Sequence, residues 1–186
     1  MSFAHHQRDA CRLSMTWFLR SLLLFAFALL WGGLTFYTGF VVPISTRLLS
    51  DPFESGLVTQ QVTNVLQVLG VLTGLMMLAN SWLVLKTAGK PGLVLLTCSG
   101  VLLVSIAVLY ATHLQLDAVI DASALDVTDR ESFDAGHRRY SQWTTVEWLC
   151  CVIYLPTTLA AWNKIDGKTA AENGEDQVSQ DAPSGV

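Results

Sequence analysis

Gly92–Thr112 reads GLVLLTCSGVLLVSIAVLYAT and holds no charged residue. Wound as an α-helix at about 1.5 Å per residue, it covers the roughly 30 Å of hydrocarbon in a bilayer. Three more runs, Ser21–Val42, Val62–Leu85 and Trp143–Trp162, are of similar length, and among them only Glu147 is charged. The pattern predicts an all-α fold, a polytopic four-helix transmembrane bundle whose solvent is lipid.

Hydrophobic residues make up 52% of the chain and charged ones 14%, so the lipid bilayer is the expected partner. The formal net charge of −4 leaves no basic face for a nucleic acid, and none is expected. Four spans and their connectors use most of the 186 residues, so any chemistry has to be built on helices or short connectors. Residues 1–16 read as an arm, 17–162 as the bundle, and 163–186, rich in Gly, Ala, Asp, Glu and Gln, as a disordered polar tail. Arg8, Arg12 and Arg20 before the first run also suit a secretory signal. The run is too long for a signal core, however, and Gly32-Gly33 leads into bulky residues instead of a cleavage site, so a retained span is expected.

Lysine and arginine set the orientation. Arg8, Arg12 and Arg20, Lys86 and Lys90, and Lys164 and Lys168 fall on one side, against Arg47, Arg130, Arg138 and Arg139 on the other. The richer side is expected in the cytoplasm, which places both termini there. Trp17, Trp82 and Trp162 fall near the same ends as interfacial anchors.

Lys86–Pro91 is a tight Thr-Ala-Gly-Lys-Pro-Gly turn that makes spans two and three an antiparallel hairpin. Pro43 to Gln61 reads as the first connector, with a turn at Ser50-Asp51-Pro52. The third connector, His113 to Arg139, is the longest and most acidic. His113, Asp117 and Asp121 recur at helical spacing, and Thr128-Asp129-Arg130-Glu131 is a capping-box pattern, so this outer connector is expected to be helical at both ends. Gly70 and Gly74 form a Gly-x-x-x-Gly pair suited to close packing within the chain or in a homodimer. Pro156 is expected to kink span four.

Polar residues inside the spans are the candidates for function. Gln60, Asn64 and Gln67 make a polar stripe on span two, and Tyr37, Gln67, Tyr110 and Glu147 lie at comparable depth from the outer ends. An ionised carboxylate in hydrocarbon is expensive, so Glu147 is expected to be paired, solvated or protonated. Tyr37, Asn64, Gln67, Tyr110 and Glu147 therefore read either as a hydrogen-bond network that holds the helices together or as a solute or proton site. As a network, the cluster would lose more stability from Glu147→Leu than from Glu147→Gln, because leucine leaves Gln67 or Tyr37 unsatisfied. His113, Asp117 and His137 at the outer mouth are candidate ligands for a transition metal, and a haem between the two histidines is a weaker alternative. Cys98 and the adjacent Cys150-Cys151 read as buried packing, with a Cu(I) thiolate site as the minority reading.

Trp31-Gly32-Gly33-Leu34-Thr35-Phe36-Tyr37, with Gly39 and Val42-Pro43 after it, resembles the first span of small four-span bacterial membrane proteins of unknown function. These are relatives of a eukaryotic four-span transmembrane protein linked to platinum-drug resistance and are loosely grouped with copper-resistance-type membrane bundles. Val62-Thr63-Asn64 and His137-Arg138-Arg139-Tyr140, before Trp143 and Trp148, fit the same pattern. The resemblance implies the fold and a bacterial cytoplasmic membrane; it carries no reaction and no catalytic residue. The expected role is a non-enzymatic one, binding a small solute or metal ion, or assisting its transport, at an outward-facing polar site. A haem- or metal-dependent redox protein and a structural subunit with unknown protein partners are the alternatives.

Overall fold

In the computed structural model of the chain, the residues described are 2–48, 52–117, 120–121, 126–127 and 130–180, with side chains at 15–45, 47–48, 60–116 and 131–171. Helix α1 (Ser2–Phe36) runs through a π-helical turn (Tyr37–Val41) into α2 (Val42–Leu48); α3 (Pro52–Ala88), α4 (Lys90–Asp117) and α5 (Arg130–Gln180) follow. Four stretches are long and apolar enough to cross a membrane: Met15–Ser45, Gln60–Ala88, Lys90–Leu116 and Glu131–Ala171. The expected all-α bundle of four spans is the architecture found.

Contacts between spans fix their directions. Thr63 meets Tyr37 and Thr73 meets Ala26, so α3 descends along α1. Ser81 meets Ser99 across α3 and α4, and Arg20 and Thr35 of α1 meet Asp166 and Trp148 of α5. Neighbours thus alternate up and down, and one end of the bundle gathers Arg20, Lys86, Lys90 and Lys164. We call this the basic end and the opposite one the loop end. Helix α4 packs on both α3 and α5, while α1 rests mainly on α3.

Connections differ from expectation where helices outlast their apolar runs. The first span does not stop at Val42-Pro43. Pro43 has no N–H to give and its ring would press on the carbonyl four residues back, so the helix widens instead, and the Val42 N–H bonds to the Tyr37 carbonyl. Helix α3 opens on Pro52, whose fixed φ suits a first helical residue, well before the expected start at Val62; Ser50 and Asp51 of the expected turn lie outside the described residues. The third connector keeps its second helical arm; the first ends at Asp117, and Asp121, expected on it, lies in β1 (Ile120–Asp121), which pairs antiparallel with β2 (Asp126–Val127). Thr128 and Asp129 of the capping box lie outside the described residues. Residues 163–180, expected to be disordered, continue α5. Extending an existing helix avoids the cost of nucleation, and Arg20 holds this stretch by two bonds to Asp166 at 2.7 and 2.9 Å.

The hairpin between α3 and α4 turns on Gly89, at φ 70°, a left-handed conformation that glycine adopts without strain. Past it, Gly92 lies so close to the Leu85 backbone that a Cβ would collide with it. Gly70 and Gly74 face α4, where a Cβ would meet Ile106 at 3.0 Å and Leu103 at 2.7 Å respectively. The Gly-x-x-x-Gly face is therefore used inside the chain.

The bundle carries its bulk outward. Phe25, Leu29, Val65, Leu72, Leu83, Val104 and Ile153 are exposed, whereas Thr73, Ser81, Ser99 and Ser105 are wholly buried. Small hydroxyl residues let the backbones approach; Ser81, Ser99 and Ser105 bond back to their own helices, as Ser99 does to the Leu95 carbonyl at 2.8 Å, while Thr73 donates to the Ala26 carbonyl of α1. The apolar core, with Phe27, Met77, Leu95, Leu102, Cys151 and Tyr154, occupies the middle and the basic half.

Candidate functional site

Two polar clusters lie inside the bundle, and they differ in how well their groups are satisfied. Toward the basic end, Asn80 donates to the Tyr154 hydroxyl at 2.9 Å, Tyr154 donates to the Met77 carbonyl at 3.0 Å, and the Trp162 indole donates to the Asn80 carbonyl oxygen at 3.1 Å. Ser81 and Ser99 add a buried bond of 3.0 Å between α3 and α4. The Arg20 guanidinium lies 4.9 Å from the Trp162 ring centre and also holds Asp166. This chain of contacts ties α1, α3 and α5 together. Asn80 and Tyr154 escaped the reading of the sequence, although two polar side chains at mid-span are each costly in lipid unless they meet.

Toward the loop end the second cluster is incomplete. Thr63 donates to the Tyr37 hydroxyl at 3.2 Å, and the Tyr140 hydroxyl lies near Thr63, Gln67, Tyr37 and Glu147. Glu147 is only 7% exposed. It forms no ion pair or hydrogen bond among the described residues, and its Oε1 is fully buried without a partner. Gln67 Nε2 and Trp31 Nε1 are buried and unpartnered as well. One acceptor and two donors thus stand unused here, whereas toward the basic end Thr158 Oγ1 is the buried unpartnered atom among the described residues.

Of the five residues expected to form this cluster, Tyr37, Gln67 and Glu147 come together and two do not. Asn64 is exposed, because the inward face of α3 runs through Thr63, one residue and about 100° away. Tyr110 is 56% exposed on the outside of α4. Thr63 and Tyr140 take their places.

Of the three residues read as metal ligands, the side chains of two are described. His137 is exposed and stacks on Phe133 with 6.2 Å between ring centres. His113 is half-buried near the end of α4, and the Asp117 side chain lies outside the described residues. Among the described residues, no group of three His, Cys, Asp or Glu side chains is arranged to hold a metal ion. Cys98, Cys150 and Cys151 are buried free thiols below Glu147 and fit the packing role expected of them. Compared with known proteins, the chain matches no family model, no curated protein and no solved structure, so the four-span resemblance rests on its residues alone.

Proposed function

We propose that this chain binds a small polar solute or a cation within a bacterial cytoplasmic membrane, at a site centred on Glu147 and walled by Tyr37, Thr63, Gln67 and Tyr140, as a binding or transport-accessory protein. The observation that carries this reading is the unpartnered Glu147 carboxyl, 7% exposed on a helix long and apolar enough to span a membrane. An unpaired carboxylate in such a place costs several kcal/mol unless a proton or a ligand compensates it. A residue kept for stability alone would be better satisfied, as Asn80 and Tyr154 are. The termini are placed in the cytoplasm by the lysine and arginine count, so the site faces outward.

A thermal-shift panel in detergent tests the reading. Chlorides of sodium, potassium, magnesium and zinc and small organic ammonium salts are the probes, each with the parent and with Glu147→Gln. At least one probe should raise the melting temperature of the parent and not that of the variant. Equal shifts in both proteins, or none with any probe, would refute a ligand site at Glu147.

A further inference from the structure

We propose that Glu147 takes up and releases a proton from only one face of the membrane, the face at the loop end. The proposal rests on the reading of Glu147 as a working site and adds the direction from which it is reached. The asymmetry lies in what surrounds the carboxyl along the bundle axis. On the loop side, Tyr140 and Thr144 are half-buried, and one turn further His137, Arg138 and Arg139 are exposed. Among the described residues, Tyr140, Gln67, Thr63 and Tyr37 supply polar groups on this side of the carboxyl, with hydroxyls able to pass a proton in either direction.

On the other side the way is shut. Below Glu147 come Cys150 and Cys151, 7% and 1% exposed, and then Phe27, Met77, Leu102 and Tyr154, none above 3%. The Tyr154 hydroxyl could serve as a next relay, but its proton is committed to the Met77 carbonyl and it already accepts from Asn80. Asn80 in turn is held by Trp162, a donor that cannot accept a proton. The hydroxyls of Ser81 and Ser99 on this side are likewise held, by the Met77 and Leu95 carbonyls and by each other.

The titratable groups around Glu147 are few. Tyr140, Cys150 and Cys151 share its helix, Tyr37 comes from the first span, and α4 contributes Cys98 beyond the two thiols; among the described residues α3 presents neutral Thr63 and Gln67. No lysine, arginine or histidine pairs with Glu147 among the described residues. The event itself is simple. Hydronium at the loop end gives its proton to the carboxylate through the hydroxyl groups and leaves water behind.

Dicyclohexylcarbodiimide reads this directly, because it reacts in lipid with a protonated carboxyl: the O–H adds across one C=N bond and the proton ends on nitrogen. The full chain is reconstituted in buffered lipid vesicles whose orientation is established by proteolysis, and the pH of each compartment is stepped while the other is clamped. Modification at Glu147, read by mass spectrometry and absent in Glu147→Gln, should rise several-fold on acidifying the loop-end compartment and stay unchanged on acidifying the other. Labelling that follows both compartments, or the basic-end one alone, overturns one-sided access and leaves the ligand reading to its own thermal-shift test. No labelling at any pH overturns the proposal too, since the carboxyl then never carries a proton in the membrane.

Discussion

Glu147 and Asn80 are both polar residues inside a membrane bundle, and the structure gives them opposite energetic signs. Asn80 bonds to Tyr154 and Trp162, so Asn80→Leu strands the Trp162 indole and removes a donor from Tyr154. The expected loss is about 1–3 kcal/mol, visible as a lower melting temperature in detergent. Glu147 bonds to nothing among the described residues, so Glu147→Leu removes a burial cost of about 1–3 kcal/mol and should hold or raise the melting temperature while abolishing ligand response. That reverses the ranking expected if Glu147 were a bonded member of a network, one of the two readings the sequence left open. A melting temperature for Glu147→Leu well below the parent's would show that the carboxyl has a structural partner after all. The sequence indicated that a carboxyl in span four mattered and that Tyr37 and Gln67 lay at its depth. It did not reveal rotation about the helix axis: Asn64 outranks Thr63 in polarity, but only contact with Tyr37 and Tyr140 decides which of the two faces inward.

Among the helices, the α3–α4 hairpin is the most tightly specified element. Gly92→Ala drives a Cβ into the Leu85 backbone and Gly74→Ala presses on Leu103, and each should cost about 1–3 kcal/mol. Gly32 and Gly100 have open space where a Cβ would go, so alanine at either should be neutral or stabilising by up to about 1 kcal/mol. Comparing the four melting temperatures in one detergent checks the packing of α3 on α4; similar losses at all four sites would contradict it. The turn itself was readable from Thr-Ala-Gly-Lys-Pro-Gly, since glycine and proline carry their conformations with them. The lengths of α3 and α5 were not, because apolar runs mark where a helix meets lipid and not where its backbone stops.

As a whole, the molecule divides its interior along the membrane normal. The bonded Asn80–Tyr154–Trp162 cluster and the apolar core lie toward the basic end and the unsatisfied Glu147 cluster toward the loop end. Orientation in the cell decides which compartment lies nearer the Glu147 cluster. With both termini in the cytoplasm, a reporter that is active only when exported should be silent when fused to the C-terminus and active when inserted between Asp121 and Asp126. The opposite pattern would invert the topology and turn the site toward the cytoplasm. Four spans and the hairpin were legible because they rest on hydropathy and length. The layering was not, since it depends on which polar side chains meet across helices.

The π turn at Tyr37–Val41 leaves α2 pointing where a regular helix would not. Removing Gly39, which touches nothing with its open side, would turn everything beyond it by about 100° without changing a single remaining side chain. Ser45, buried in the native register, would rotate outward; a cysteine introduced by Ser45→Cys should resist a thiol reagent in the full-length chain and react in the deletion. At this position, chain length rather than residue chemistry determines which surface the first span offers to its neighbours, so a one-residue insertion or deletion can re-address the mouth of the bundle in one step.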